Sequence, residues 1–289
     1  MRVSRLASMG CALALAIARL VDPSRAGAAS DPSPVPVGIG GPSGSFTVAP
    51  TRVVLESLHH SAELTLINTG HEKATYRLAL IDMSMSESGE LAADTTASSE
   101  YFADGLLRYS PHQVELEPGV PQTVRLLVQN AETLKPGEYR SHLLVRAIPP
   151  ALPPDSNATR DFAVALTPVY GIAIPVIVRQ GVTEAGASIG NLHVVRDDAS
   201  TRLAFDLLRS GNRSVYGNIS VALARPGRRP VEISVMRGVA VYVPNALRHV
   251  EVRLQIPPDQ ILRDATLKVR YDDAESARGS LAEAELELP

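Results

Sequence analysis

Bulky side chains stand at nearly every even position of residues 162–178: Phe162, Val164, Leu166, Pro168, Tyr170, Ile172, Ile174, Val176 and Val178. The odd positions are mostly small, among them Ala163, Ala165, Thr167, Gly171 and Ala173. A period of two is that of a β-strand with its heavy side chains on one face. Ordinary strands run about 5–6 residues, so this run predicts an unusually long one. Shorter strand-like runs precede it at 46–56, 62–68, 74–83, 105–109, 122–129 and 139–147. Turn signals separate them, including Asn68-Thr69-Gly70, Ser88-Gly89, Glu117-Pro118-Gly119 and Lys135-Pro136-Gly137. With no convincing helical period among them, these strands predict a β-sandwich over 46–180.

A second set of runs follows at 189–195, 201–209, 215–223, 230–235, 239–243, 247–256, 265–271 and 281–288, punctuated by Gly211-Asn212, Pro226-Gly227, Pro244-Asn245 and Pro257-Pro258. It predicts a second, smaller sandwich over 189–289, joined to the first by a hinge at 181–188, "GVTEAGAS". The fold class expected is all-β. Two segments inside the first sandwich read as exposed loops: 84–104, rich in Ser, Ala, Glu and Thr, as a mobile one, and the Pro-rich 148–161.

Residues 1–29 have a basic start (Arg2, Arg5), an apolar centre and a small-residue end, the pattern of a secretory signal peptide cut after Ala28 or Ala29. A Pro/Gly/Ser-rich leader over 30–45 reads as flexible. Cys11 is the only cysteine, so the chain beyond the signal offers no disulfide, thiolate metal site or cysteine nucleophile. The net charge is −3; the four arginines and one aspartate of 1–29 carry +3, so their removal leaves −6. A negative chain argues against nucleic acid as a partner. Two prolines, a glycine and strict alternation argue against a bilayer helix in 162–178.

Little points to enzymology. No G-x-S-x-G, H-E-x-x-H or phosphate-cradling glycine loop occurs, so no cofactor or nucleotide is expected. His59, His60 and His71 form the one near-cluster of histidines, but adjacent strand residues point opposite ways, so a solvated turn is expected and no metal. Asp197-Asp198 and Asp272-Asp273 suit turns better than paired catalytic acids. Two features stand apart: Arg52, a cation in the apolar run "APTRVVLE", and the long strand itself.

The segments "PTRVVLE", "AELTLINTG", "ATYRLALIDM", "LLRYSPHQVELEPGVPQTVRLLV", "LKPGEYRSHLLVRAIPP" and "IPVIVR" occur in the order and spacing of the PapD-like periplasmic pilus-assembly chaperones, which the chain resembles over about 46–180. Over 189–289 the similarity rests on strand pattern and position. The resemblance implies two immunoglobulin-like domains with a cleft between them. It implies a periplasmic protein, not an enzyme, that lends a strand to a pilin-like subunit until an outer-membrane usher exchanges it into the fibre. Donor residues would be Phe162, Val164, Leu166, Pro168 and Tyr170. Arg52 matches the family's first-strand arginine, which anchors the subunit's C-terminal carboxylate. The lysine that completes that anchor in the family has no counterpart: Ala173 and Pro175 stand where it would lie. The other reading is a stand-alone immunoglobulin-like adhesion or assembly module of the periplasm or cell surface.

Overall fold

Alternating apolar and polar residues put one face of each strand into a core, and the computed structural model pairs those strands into two β-sandwiches. It describes residues 37–39, 44–56, 60–95, 100–149, 169–197, 200–257, 262–276 and 279–289. The expected signal peptide and most of the leader lie outside these residues. The first sandwich is built from β1 (Val37–Ile39), β2 (Phe46–Ala49), β3 (Val53–Leu55), β4 (Ser61–Asn68), β5 (Ala74–Ile81), β6 (Met83–Met85), β7 (Leu91–Ala93), β8 (Leu107–Ser110), β9 (Gln113–Leu116), β10 (Pro121–Val128), β11 (Gly137–Ile148) and β12 (Gly171–Gln180). The second comprises β13 (Ala185–Arg196), β14 (Thr201–Gly211), β15 (Val215–Ala224), β16 (Val231–Val241), β17 (Leu247–Arg253), β18 (Ala265–Asp273) and β19 (Ser280–Leu288). Among the described residues no helix is long and apolar enough to cross a membrane.

In the first sandwich the sheet β1-β2-β4-β10-β8 faces the sheet β3-β12-β11-β5-β9. Leu64 and Leu66 of β4, Val124 and Leu126 of β10, and Leu143 and Val145 of β11 meet in its core with Phe46 and Tyr76, whose rings pack edge to face at 5.2 Å. Asn68 closes the predicted turn from inside. Its buried amide donates to the Glu72 and Leu116 carbonyls (2.8 and 2.9 Å) and its side-chain oxygen accepts from Gly70 N–H. The second sandwich sets β13-β14-β17 against β16-β15-β18-β19 around its own core of Leu203, Phe205, Leu207, Val221, Leu267 and Tyr271.

Several expectations change. The 46–56 run is two strands, because Pro50 lacks an N–H to continue the ladder. Residues 37–39 of the expected flexible leader pair with β2. The predicted 230–235 and 239–243 are one strand, β16. The connection between the sandwiches is shorter than 181–188: Ala185–Ser188 already pair with β14, leaving 181–184 as the turn.

Segment 84–104 is not a free loop where it is described. Ser86 and Glu90 close a hairpin between β6 and β7, and that hairpin lies on the second sandwich. The Met85 carbonyl accepts from Asn245 Nδ2 at 2.8 Å, and the Glu87 carbonyl from His249 N–H at 2.6 Å. Met85 and Leu91 pack with Ile177, Ala240 and Tyr242, an apolar cluster shared by both sandwiches.

Candidate functional site

β3 and β12 run parallel, with Val53, Val54 and Leu55 in register with Val176, Ile177 and Val178. Alternation divides their side chains. Val53, Leu55, Ile174, Val176 and Val178 enter the first core. Val54 and Ile177 join the cluster under the second sandwich. On that second face, Arg52 stands two residues before Val54, and Arg179 two residues after Ile177. Continuing the register sets Pro175 beside Arg52.

The Arg52 guanidinium is held on three sides by the second sandwich. Its Nε donates to Glu275 Oε1 at 3.0 Å, its Nη2 lies 2.8 Å from the same oxygen, and its Nη1 donates to the Tyr242 hydroxyl at 3.0 Å. The Tyr216 ring lies 4.3 Å from its central carbon, within cation–π reach. Arg179 gathers three carboxylates: Glu138 on Nε at 3.1 Å, Glu56 on Nη1 at 3.2 Å and Glu275 on Nη2 at 2.6 Å. Glu275 thus gives one oxygen to each arginine. It projects from the connection between β18 and β19. There its own N–H donates to Asp273, and the neighbouring Ala274 N–H donates to the Tyr216 carbonyl at 3.1 Å.

Burial opposes the charge on both arginines, yet the pKa of each is held above the ordinary arginine value, Arg52 by Tyr242, Glu275 and Glu138, Arg179 by Glu275 and Glu138. Glu275 is the reciprocal case: burial favours its neutral form, but Arg52 and Arg179 outweigh that and hold its carboxyl below the usual range. Glu138, almost wholly buried, also accepts from the Ser214 hydroxyl.

Two further buried groups of β11 lie beside this network. Arg140 donates from Nη2 to the Met83 carbonyl at 3.0 Å and stacks on Tyr242, while its Nε and Nη1 have no acceptor among the described residues. His142 is 1% exposed, and neither ring nitrogen has a partner among the described residues. Burial, together with the charges of Arg140 and Arg52, depresses its pKa to about 3.

Arg52, Val54, Glu56, Arg179 and Glu275 line an open recess of ≈ 380 Å³. What this arrangement can do is hold a carboxylate: the planar forks of two arginines present paired donors that match its oxygens. Arg52 was legible as a candidate. Arg179, the lone charge of 162–180, brings a second cation to the same face, four residues beyond Pro175. Glu275, Tyr242 and Tyr216 carry no pattern in the sequence that points to Arg52.

The other expected site residues are divided. Phe162, Val164, Leu166 and Pro168 lie outside the described residues. Tyr170 is described: it is 39% exposed, next to Val169 at 47%, and its carbonyl accepts from Ala147 N–H, so the β11–β12 ladder reaches that far. β3 covers β12 only at 176–178; among the described residues, Gly171–Pro175 have no strand on the side away from β11. That stretch is an open edge leading into the apolar alternation of 162–170. His60 and His71 flank β4 at opposite ends, which separates them by roughly 25 Å at about 3.3 Å per residue; His59 lies outside the described residues.

No protein-family model matches the chain, and no curated protein matches it. Solved structures similar to it include one of a Salmonella enterica SafA pilin in complex with the SafB chaperone, at 13% identity and a TM-score of 0.43, covering 87% of this chain and 100% of that one. Another is a chaperone–tip adhesion subunit pre-assembly complex from the archaic chaperone-usher Csu pili of Acinetobacter baumannii, at 13% identity and a TM-score of 0.43, covering 85% and 98%. The E. coli chaperone DraB is similar at 16% identity and a TM-score of 0.40, covering 84% and 98%.

Proposed function

We propose that this chain is a periplasmic chaperone that holds pilin-like subunits by lending them a β-strand, before an outer-membrane usher takes them into a fibre. The observation that carries the reading is the open edge of β12 at Gly171–Pro175, continuous with the apolar alternation of 162–170 and leading along the same strand to a two-arginine carboxylate site. A subunit lacking its last strand exposes a groove and an unpaired edge, both prone to aggregation. A strand added along β12 supplies the missing backbone bonds, and alternate side chains fill the groove.

Four groove-filling side chains, Phe162, Val164, Leu166 and Tyr170 in this reading, contribute roughly 6–12 kcal/mol gross at about 1.5–3 kcal/mol each, less the costs of association. The carboxylate end of the subunit is read by Arg52, with Arg179 as its partner cation in place of the absent lysine. Nothing in the scheme consumes a nucleotide. The test is purification from the periplasm with mass spectrometry of what accompanies the chain, for wild type and for Val164→Ser with Leu166→Ser. Pilin-like subunits held by the first and lost by the second support the reading. Their absence from both removes it.

A second reading has one observation in its favour. Arg52 already donates from Nε to Glu275 and from Nη1 to Tyr242 within the chain, and its Nη2 lies in ion-pair contact with Glu275. An adhesion or assembly module that never releases a client would need no more from that arginine than to join two sandwiches. Arg52→Ala separates the two: a chaperone loses about 2–5 kcal/mol of client binding, whereas the module loses stability alone.

A further inference from the structure

We infer that the β6–β7 hairpin is a pH-dependent strap between the two sandwiches, held by an imidazolium at His249 that bridges Asp206 of β14 to Glu87 at the tip of the hairpin. As pH rises and His249 loses a proton, the bridge to the hairpin is the half that fails. The inference stands on the docking of the hairpin and does not rest on the chaperone reading.

The turn of the hairpin is built from its own bonds. Ser86 N–H donates to the Glu90 carbonyl and Gly89 N–H to the Ser86 carbonyl, both at 2.9 Å, and the Ser86 and Ser88 hydroxyls lie 2.7 Å apart. Glu87 is thereby presented at a self-bonded tip. β17 is an edge strand of its sheet, and the Glu87 carbonyl takes the His249 N–H from that edge. Gly89, at φ +84°, passes so close to Arg248 that an added Cβ would meet its Nε at 2.2 Å. The turn therefore rests against Arg248 and His249 together.

Both ring nitrogens of His249 face carboxylate oxygens: Nδ1 lies 2.6 Å from Asp206 Oδ1 and Nε2 3.5 Å from Glu87 Oε2. An ionised carboxylate only accepts, and a neutral imidazole has one N–H and one lone pair. A neutral His249 would therefore turn a lone pair on one of the two. Asp206 is better placed to keep the N–H. Its contact is shorter, its side chain is 16% exposed against 65% for Glu87, and its other oxygen accepts from Asn191 Nδ2. The hairpin carries the loss. On β17 itself Arg248 is adjacent, and Glu251, two residues on, is paired with Arg202. On β13, His193 Nδ1 lies 2.7 Å from the Asn191 carbonyl oxygen, and its charge bears on Asp206. The bond to Asp206, with the charges of Asp206 and Glu87, holds the His249 pKa above its ordinary 6.5. The hold on the hairpin is complete below 6.5 and is lost as pH rises through the raised value.

The strap is separate from the ion pairs of Arg179 with Glu138 and Glu275, which join the sandwiches and stay as they are. What rising pH loosens is the seating of Met85 and Leu91 against Ile177, Ala240 and Tyr242. Those apolar contacts and the backbone bonds to Asn245 and His249 remain when the Glu87 side chain lets go, so the response is graded.

The amide of His249 reports the strap directly, because its N–H is bonded to the hairpin. Its hydrogen-exchange protection, corrected for the intrinsic pH dependence of exchange, should fall roughly two- to fivefold between about pH 6 and pH 8.5, the factor that an exposed ion pair supplies. Glu87→Gln changes only an exposed side chain and should abolish that fall. Linkage gives a second readout: if protonation favours docking, docking raises the His249 pKa by the same factor. The pKa read from the imidazole resonances should therefore be about 0.3–0.7 lower in Glu87→Gln than in wild type. It should also be lower in Met85→Ser with Leu91→Ser, which undocks the hairpin without altering Glu87 or His249. Equal protection across the range in wild type, the same fall in Glu87→Gln, or one His249 pKa in all three proteins overturns the inference.

Discussion

The guanidinium carbon of Arg140 lies 4.1 Å from the centre of the Tyr242 ring, so a cation of the first sandwich rests on an aromatic of the second. The hydroxyl of the same tyrosine accepts from Arg52 at 3.0 Å. One side chain thus serves two arginines, by its ring and by its oxygen, and substitution separates the roles. Tyr242→Phe keeps the ring and leaves a buried N–H without its acceptor, at a cost of about 1–3 kcal/mol in unfolding free energy. Tyr242→Ala removes both and should cost about 3–5 kcal/mol. Urea titration of each variant measures the difference. Equal losses would mean that the ring contributes nothing beyond the hydroxyl.

His142 makes stability depend on pH. Its pKa falls from 6.5 to about 3 in the folded chain, so between those values the unfolded chain binds a proton that the native chain refuses. The stability it contributes is complete above the unfolded value and is lost as pH falls toward the folded one, with a slope of at most about 1.4 kcal/mol per pH unit. His142→Leu should flatten that part of the curve, read as the wild-type minus variant difference across the window. Parallel curves would show that His142 titrates alike in both states.

The two ends of β12 should fail differently. Ile174 is buried in the first core, and Ile174→Ala should cost about 2–5 kcal/mol. Val169 and Tyr170 are exposed, so replacing both by serine should move stability by no more than about 0.5 kcal/mol each, while weakening the capture of subunits. Denaturation curves beside co-purification decide it. If the exposed pair destabilises the chain as Ile174→Ala does, the open edge is ordinary core.

The β6–β7 hairpin should respond to loss of its apolar anchors. Met85→Ser with Leu91→Ser removes its hold on Ile177, Ala240 and Tyr242. Limited proteolysis should then cut within 84–95 faster than in the intact chain, and before the 181–184 turn where Val182 is 85% exposed. Unchanged cleavage would show that the backbone bonds to Asn245 and His249 hold the hairpin alone.

Strand positions were legible because burial on one face writes itself as alternation, as in Leu64-Leu66 or Val124-Leu126-Val128. The same rule hid β9, whose Gln113–Leu116 keeps only Leu116 buried. It also hid the docked hairpin, where two apolar anchors sit among serines and glutamates and the remaining contacts are made by backbone. Arg52 stood out because a cation in an apolar run needs a reason. Its partner did not, because Glu275 is an ordinary loop glutamate until folding carries it across 223 positions of sequence to Arg52. Contacts made by tertiary proximity alone leave no periodic trace.

The open edge of β12 has a built-in end. Because Tyr170 turns its carbonyl toward Ala147, even-numbered residues of the strand bond to β11 and odd-numbered ones face outward. Gly171 and Ala173 therefore present both an N–H and a carbonyl to any strand laid beside them, while Pro175 presents a carbonyl only. A visiting strand can zip along the first two of these positions and must stop donating and accepting in turn at the third, where β3 takes over. The proline acts as a length gauge: a second copy of the chain pairing there would find donors at Gly171 and Ala173 only before β3 takes over.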